Sequence, residues 1–195
     1  RRNVERNLEA LGAGDAGTFA VFRCFSKTIV DFLSLDPDRR QELRELCRIS
    51  GREHLDAALE KGKGAILFAP HQGPWEVAGA FLASKGYRIH SIALEHPSSR
   101  VTDFFSRRRN EWGIIDYPFG EGAAKLFDAL RAGEIVVLLV DRSFSTRGAP
   151  LDFLGHRVIM PQGHVKLSML TGAPLIPCCC CYTAVSYTHL RAHET

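Results

Sequence analysis

The sequence has 195 residues, of which 45% are hydrophobic and 24% are charged, and its formal net charge is +3 at pH 7. This length and composition are those of one globular domain that can bury a core. The nearly balanced charge argues against a nucleic-acid partner, and the longest uninterrupted apolar run, residues 135–140, is too short to span a bilayer.

Residues 17–34 carry an aromatic stripe at helical spacing. Charged side chains lie on the opposite side, as expected of a helix with one apolar face. We predict that the stripe faces the core, and a helix lying on a membrane surface is the second interpretation. A break at Asp36-Pro37 precedes two predicted short helices, at about 37–48 and 51–61. The stripe consists of Phe19, Phe22, Phe25, Ile29 and Phe32.

From Gly64 onward, strand-like and helix-like segments alternate. Because strands separated by helices need crossover connections, the pattern predicts an α/β fold. Its largely parallel central sheet is flanked by helices and follows an N-terminal helical segment. The stretch between the fourth strand and the last helix is predicted to be a loop. Strands are predicted at 65–69, 87–94, from 114, at 134–140 and at 173–181, and helices at 74–85, 98–112, 123–131 and 163–170.

Three segments are predicted along the chain. Residues 1–62 form the N-terminal helical segment, residues 63–182 form the α/β core, and residues 183–195 form a tail that looks like translated adaptor sequence. Since the sequence starts at Arg1 rather than at a methionine, we expect the natural beginning and an upstream anchor to be missing. We also expect the core to be truncated at its end.

The most informative stretch follows the first core strand. The apolar run stops at Pro70, His71 comes next, and Glu76 lies five residues later. Gly73 and Pro74 between them suit the start of a helix. The strand therefore delivers an imidazole to its carboxyl end, and the helix returns a carboxylate in its first turn. A histidine whose second ring nitrogen is held by a carboxylate is placed to act as a general base.

Each residue of this pair also has a structural interpretation. A carboxylate such as Glu76 is favoured in the first turn of any helix by unpaired amide groups and the helix dipole. His71 could be a satisfied histidine behind a buried strand. The sequence has no Gly-x-Ser-x-Gly elbow, and no His-x-His or Asp-x-His pair lies near His71. We predict neither a bound metal nor a cofactor.

The block with His71 and Glu76 resembles the His-x4-Asp/Glu motif of glycerolipid acyltransferases, in the form found in the lipid A biosynthesis (lauroyl/myristoyl) acyltransferase branch. Four further blocks follow in the order of that branch, over roughly residues 1–178. One departure is Pro74, where the branch often has Asn. The blocks are Asp141-Arg142 with Arg147-Gly148, Phe153-Leu154-Gly155, Pro161-Gln162-Gly163 and Thr171-Gly172-Ala173-Pro174.

The resemblance implies an acyltransferase. Such an enzyme moves a fatty acyl group from a thioester of acyl carrier protein or coenzyme A to a hydroxyl of a lipid A precursor, a related glycolipid or a lysophospholipid. It would work at a membrane surface, on the cytoplasmic face of the bacterial inner membrane. His71 would take the hydroxyl proton and Glu76 would orient it. A non-catalytic lipid-binding member of the same fold and a lipid esterase are the alternatives.

Residues near the motif and after a later strand are candidates for substrate binding. Gln72, Gly73 and Trp75 adjoin the predicted dyad. Asp141 and Arg142 follow the buried strand at 134–140. They either contact the acceptor or the donor, or form a turn in which Asp141 bonds its own backbone.

The predicted helix at 98–112 contains three consecutive arginines. Arg109 matches the family's arginine after the second strand. The planar guanidinium group suits oxyanions, so we expect Arg109 to bind an anionic group of a substrate rather than to serve the fold. Arg107 and Arg108 are expected to face solvent, as charge runs usually do.

Overall fold

The structure, a computed structural model, describes residues 1–13, 17–143, 148–183 and 188–192. Within these residues, helices cover both faces of a seven-stranded sheet, and a two-stranded hairpin lies outside it. The predicted α/β class with N-terminal helices is confirmed. Arg147 of the predicted motif blocks lies outside the described residues.

The N-terminal part is mainly helical. It contains α1 (Arg2–Ala10), α2 (Thr18–Leu33), a 3₁₀ turn at Pro37–Arg39, α3 (Arg40–Leu46), strand β1 (Cys47–Ser50) and α4 (Arg52–Glu60). β1 lies where the sequence predicted the end of a helix. That prediction is wrong because β1 pairs with a strand near the far end of the chain, and local periodicity does not report such a partner.

The α/β core follows the predicted alternation. Its first half contains β2 (Ala65–Ala69), α5 (Trp75–Ser84), β3 (Ile89–Ala93), α6 (Ser99–Trp112) and β4 (Ile114–Pro118). Its second half contains α7 (Ala123–Arg131), β5 (Ile135–Leu139), the hairpin strands β6 (Ala149–Phe153) and β7 (His156–Met160), α8 (Gly163–Thr171), β8 (Leu175–Cys181) and β9 (Thr188–Ala192). Every core strand and helix predicted from the sequence is present.

The seven strands lie in the order β1-β9-β8-β2-β5-β3-β4. Neighbouring strands are parallel except β8 and β9, which are antiparallel. The central position of β2 explains its unbroken apolar run, because helices cover both of its faces and bury Ala65, Ile66 and Leu67. β9 lies within the predicted tail. The division of the chain at residues 62 and 182 stays a prediction.

The pairing of β2 with β5 determines which residues meet at the carboxyl edge of the sheet. Ala69 lies opposite Leu139, at the last residue of each strand. His71 and Asp141 each follow two residues later, so both reach the same edge. In parallel sheets this edge is where ligands bind.

Side chains of the central strands alternate between two core clusters. One cluster packs with α5 and α6 and includes Leu67, Phe81 and Trp112. The other packs with α7 and α8 and includes Ile66 and Leu130. The sheet is thus buried from both sides, and its carboxyl edge lies between two apolar layers.

The hairpin of β6 and β7 lies where the sequence predicted a loop. Its two-residue turn, Leu154-Gly155, has positive φ at both positions, 51° and 78°. This geometry suits the right-handed twist of a hairpin. Leucine seldom adopts it, and the turn therefore lacked the Asn-Gly or Asp-Gly signal that predicts such hairpins.

Helix α2 places most of its aromatic stripe at the surface. Phe19 is 78% exposed, Phe22 and Phe25 are also exposed, and Phe32 is buried. The prediction that the stripe faces the core is therefore wrong for these first three positions and confirmed at Phe32. Among the helices that the structure describes, none is long and apolar enough to cross a membrane.

Candidate active site

A histidine–aspartate pair lies at the carboxyl edge of the sheet. The Nδ1 atom of His71 is 2.6 Å from Oδ1 of Asp141. The backbone N–H of His71 donates to Oδ2 of the same carboxylate at 3.0 Å. Because Nδ1 faces the carboxylate, it carries the ring proton and leaves Nε2 as the free base.

The environment of Asp141 keeps its carboxyl group ionised. Burial alone would raise the pKa of Asp141, but hydrogen bonds from the His71 ring and backbone N–H lower it below its ordinary value. The carboxylate can therefore stabilise a positive charge on the ring. Trp75 packs edge-on against His71, with ring centroids 5.2 Å apart, and limits the positions open to the imidazole.

Glu76 has a different partner from the one predicted. Its carboxylate oxygens accept two hydrogen bonds from Arg109, at 3.1 Å from Nε and 2.5 Å from Nη2. The prediction that Glu76 orients His71 is wrong in this structure, because a two-pronged arginine pair satisfies Glu76. The register of β2 and β5 brings Asp141 to the ring instead.

Arg109 is enclosed between two acidic side chains. Its Nη1 donates to Oδ2 of Asp116 at 3.1 Å, opposite the pair with Glu76. The Arg109 and Asp116 side chains are 17% and 3% exposed. Burial opposes the charge, but Glu76 and Asp116 together raise the pKa of Arg109 above its ordinary value. Arg109 therefore has a structural role, which was not predicted from the sequence. Its binding of a substrate anion stays a prediction.

The two neighbouring arginines differ from each other. Arg107 is exposed, as predicted. Arg108 donates to the carbonyl oxygens of Leu33 and Leu35 and pairs with Glu111 at 2.6 Å. The prediction that Arg108 faces solvent is therefore wrong, because its hydrogen bonds attach α6 to the end of α2.

Arg109→Lys is expected to lower the free energy of unfolding by roughly 1–3 kcal/mol, the cost of leaving a buried polar group unsatisfied. Lysine keeps the charge but cannot make the two-pronged bond to Glu76 and also reach Asp116. Urea unfolding measures the change. Arg107→Lys is the matched control, since Arg107 is exposed, and it should leave stability unchanged. Equal stability of the two variants would contradict the structural role.

The loop between β2 and α5 is closely packed at Gly73. Its φ is +59°, and a Cβ atom there would lie 2.2 Å from the Cys180 carbonyl oxygen. The Gly73 carbonyl accepts a hydrogen bond from the Thr28 hydroxyl at 3.2 Å, which ties the loop to α2. Gln72 is exposed, with its amide nitrogen 4.0 Å from the Cys181 sulfur. Substrate binding by Gln72 and Gly73 stays a prediction.

A cavity of about 680 Å³ adjoins the His71–Asp141 pair. Its lining residues come from both faces of the sheet, and His71, Trp75 and Arg142 line it at the carboxyl edge. Because the sheet separates its two faces, we treat the cavity as two arms that join at this edge. We call the arm under α5 the α5 arm and the arm on the opposite face of the sheet the α7–α8 arm. The α5 arm is lined by Leu67, Ala78, Gly79, Leu82, Ile89 and Val137, and the α7–α8 arm by Ile92, Leu126, Phe127, Leu138, Leu167 and Leu170.

The cavity walls also include Glu76 and Arg109, beside the histidine. A cavity of this size and apolar character suits a small-molecule or lipid ligand. Among the residues that the structure describes, no group of three or more His, Cys, Asp or Glu side chains could hold a metal ion.

A histidine–carboxylate pair at the edge of a parallel sheet, beside a cavity with apolar walls, is the arrangement expected of an α/β protein of the glycerolipid-acyltransferase type. The sequence agrees over most of its length. The model of the family described as bacterial lipid A biosynthesis acyltransferase matches residues 19–193, and the chain belongs to this family.

Curated relatives carry related names. The chain is 34% identical over 148 residues to a phosphatidylinositol mannoside acyltransferase of Mycobacterium tuberculosis, covering 73% of the chain and 47% of the relative. A protein of the same name from Mycolicibacterium smegmatis is 30% identical over 132 residues, covering 66% and 43%. A lipid A biosynthesis acyltransferase of Haemophilus influenzae is 26% identical over 139 residues, covering 71% and 44%. The matched part spans less than half of each relative.

Proposed function

We propose that the protein transfers a fatty acyl group from a thioester to a hydroxyl group of a lipid, with His71 as general base and Asp141 as its partner. The observation that carries the proposal is the 2.6 Å contact between Nδ1 of His71 and Oδ1 of Asp141. It lies where two apolar cavity arms meet. An acyl chain held in such an arm would bring its carbonyl to the base.

The proposed chemistry needs no enzyme-bound acyl intermediate. Nε2 of His71 takes the proton of the acceptor hydroxyl while the hydroxyl oxygen attacks the thioester carbonyl. The C–O bond forms, and the C–S bond of the tetrahedral intermediate then breaks. The departing thiolate receives the proton from the imidazolium, so an ester and a thiol are the products. Asp141 stabilises the imidazolium between these steps.

The cysteines in the cavity support direct attack by the acceptor. Cys178 and Cys180 line the cavity. Burial, reinforced by neighbouring thiols, raises the pKa of Cys178 to about 12 and also raises that of Cys180. Both thiols are therefore protonated near neutral pH and are poor nucleophiles.

The thioester is proposed to be that of acyl carrier protein or coenzyme A, and the acceptor a lipid A precursor, a related glycolipid or a lysophospholipid. Support for a glycolipid comes from the relatives, whose names specify phosphatidylinositol mannoside and lipid A. Glu76 stays among the proposed site residues because it positions Arg109, a proposed substrate contact, through their ion pair. The proposed substrate contacts are Gln72, Gly73, Trp75, Arg109 and Arg142.

We further propose that the protein works at a membrane surface, on the cytoplasmic face of the bacterial inner membrane. Support comes from α2, where Phe19 and Phe22 are exposed and Arg23 lies beside them in the sequence. Exposed aromatic and basic side chains on one helix favour an anionic lipid surface. Phe25 continues the stripe to the cavity, which it lines, and packs against Trp75 with ring centroids 6.0 Å apart.

The proposed reaction is tested by following thiol release from palmitoyl-coenzyme A and palmitoyl-acyl carrier protein, with and without a glycolipid acceptor. Acyl transfer predicts thiol release that requires the acceptor, together with an acylated product seen by mass spectrometry. Equal release without acceptor would identify a thioesterase instead. No release with any donor, from a folded protein, would support a non-catalytic lipid-binding protein.

Gly79→Leu is expected to shift donor preference toward shorter acyl chains. A Cβ atom at Gly79 would already lie 3.1 Å from Cδ1 of Ile114, so a leucine side chain would fill the α5 arm. The ratio of kcat/KM for sixteen-carbon over ten-carbon donors should fall about tenfold or more, as expected when a hydrophobic pocket loses space for methylene groups. The ten-carbon donor is the internal control. An unchanged ratio would place the donor chain outside this arm.

A further inference from the structure

The cavity has two apolar arms, although the acyl chain of one donor needs only one. The α5 arm extends along β3 from Ala93 to Ile89, about 13 Å for five strand residues. Its deep residues Ile89 and Leu82 are buried. The far end of this arm is therefore lined by buried apolar side chains, and it suits a chain that enters from the carboxyl edge.

The α7–α8 arm is more open. Leu170 lines this arm and is 73% exposed, and Phe119 at its other side is exposed as well. Leu126 and Leu167 form its buried floor. A ligand can thus lie along the arm with one side still in contact with the surroundings, as a lipid that leaves a membrane only in part would do.

The polar groups of the α7–α8 arm suit the junction between a chain and a headgroup. His164 lines the arm and stacks on Phe68 with ring centroids 4.9 Å apart. Its Nδ1 is buried and has no hydrogen-bond partner among the described residues. Burial lowers the pKa of His164, so the ring is neutral near pH 7 and adds no charge to the arm. Lys166 at the rim is exposed and would face an anionic headgroup.

We propose that the α7–α8 arm binds a hydrocarbon chain of the acceptor lipid while the α5 arm holds the acyl chain of the donor. The inference rests on the acyl-transfer function proposed above. The arms meet at His71, so an acceptor chain in one and a donor chain in the other would bring the hydroxyl and the thioester carbonyl to the same Nε2 atom. An acceptor without a chain would lose the contacts of the second arm and bind more weakly.

The test uses a sixteen-carbon fatty acid with a diazirine near its chain end, followed by mapping of the labelled peptides. The free probe should label peptides of both α5 and α8. Saturating palmitoyl-coenzyme A should remove the α5 label and leave the α8 label. Octyl glucoside should then compete with the α8 label, and methyl glucoside at the same concentration should not. These competitions separate an acceptor chain from a donor chain as the occupant of the α7–α8 arm.

Two neighbouring residues of α8 supply matched variants. Leu170→Asp places a carboxylate in the wall of the arm and should lower the α8 label at least tenfold while sparing the α5 label. Met169→Asp is the control, because Met169 is 80% exposed and lies outside the cavity lining. It should leave both labels unchanged. Both positions are exposed, so neither variant disturbs the core.

The inference is overturned if palmitoyl-coenzyme A removes both labels together, if the α8 label never forms, or if Leu170→Asp and Met169→Asp behave alike. Labelling needs no turnover. A protein that binds two chains but transfers nothing would therefore contradict the proposed function alone. An active protein with a single labelled arm would contradict this inference alone.

Discussion

His71→Ala is expected to lower turnover by a factor of roughly 10²–10⁴, the usual contribution of a general base. The His71 imidazole lines the cavity at the carboxyl edge of the sheet, and alanine has nothing with which to take the hydroxyl proton. The measurement is kcat for thiol release in the presence of acceptor. KM for the acyl donor should change little, because the apolar arms that hold the chain remain.

The control for this variant is His156→Ala. His156 is exposed on the β6–β7 hairpin, outside the cavity lining, and its ring contacts the carbonyl oxygen of Ala10. It should keep near-normal turnover. If His71→Ala also kept near-normal turnover while folded, the general-base assignment would be wrong.

Asp141→Asn is expected to lower kcat by a comparable factor, about 10²–10⁴, because the amide cannot stabilise the imidazolium and can favour the wrong tautomer. Glu76→Gln is the informative comparison. Its main expected effect is on stability, since Glu76 pairs with Arg109 rather than with the ring. Asp141→Asn should therefore show the larger loss of kcat, and Glu76→Gln should show the larger loss of stability in thermal unfolding. A larger loss of kcat in Glu76→Gln than in Asp141→Asn would restore the pairing predicted from the sequence.

The contribution of the Asp141 carboxylate to folding stability depends on pH, and the direction of this dependence can be predicted. Because the pKa of Asp141 is lowered in the folded protein, its carboxylate stabilises the fold above the ordinary aspartate pKa. This contribution is lost as the pH falls through the lowered value. The difference in free energy of unfolding between the unsubstituted protein and Asp141→Asn, measured by urea unfolding, should therefore shrink as the pH is lowered from 6 toward 3.

The core elements were predictable because their signals are local. β2 and β5 are unbroken apolar runs, and the helices between strands show their own periodicity and end signals. His71 was predictable for the same reason, since it directly follows the end of such a run. The elements that escaped prediction depend on distant or unusual features. β1 needs β9 as its partner, and the β6–β7 hairpin turns at a leucine with positive φ.

The partner of His71 could not be chosen from spacing alone. Glu76 is close in the sequence, and Asp141 is 70 residues away. What decides between them is the pairing of β2 with β5 and the presence of Arg109 to bind Glu76. A signal for Asp141 did exist: it lies as far beyond the end of β5 as His71 lies beyond the end of β2. In adjacent parallel strands with matched ends, equal offsets place two residues side by side.

The long separation of His71 and Asp141 in the sequence affects when the pair forms during folding. No short stretch of the chain contains both members of the dyad, and they meet only after β2 and β5 have closed a long segment that includes β3, β4 and three helices. Closing such a segment costs chain entropy before its contacts form, so parallel pairings of this kind are slow steps in folding. We therefore expect His71 to gain its carboxylate partner late in folding, after many of the helices have formed.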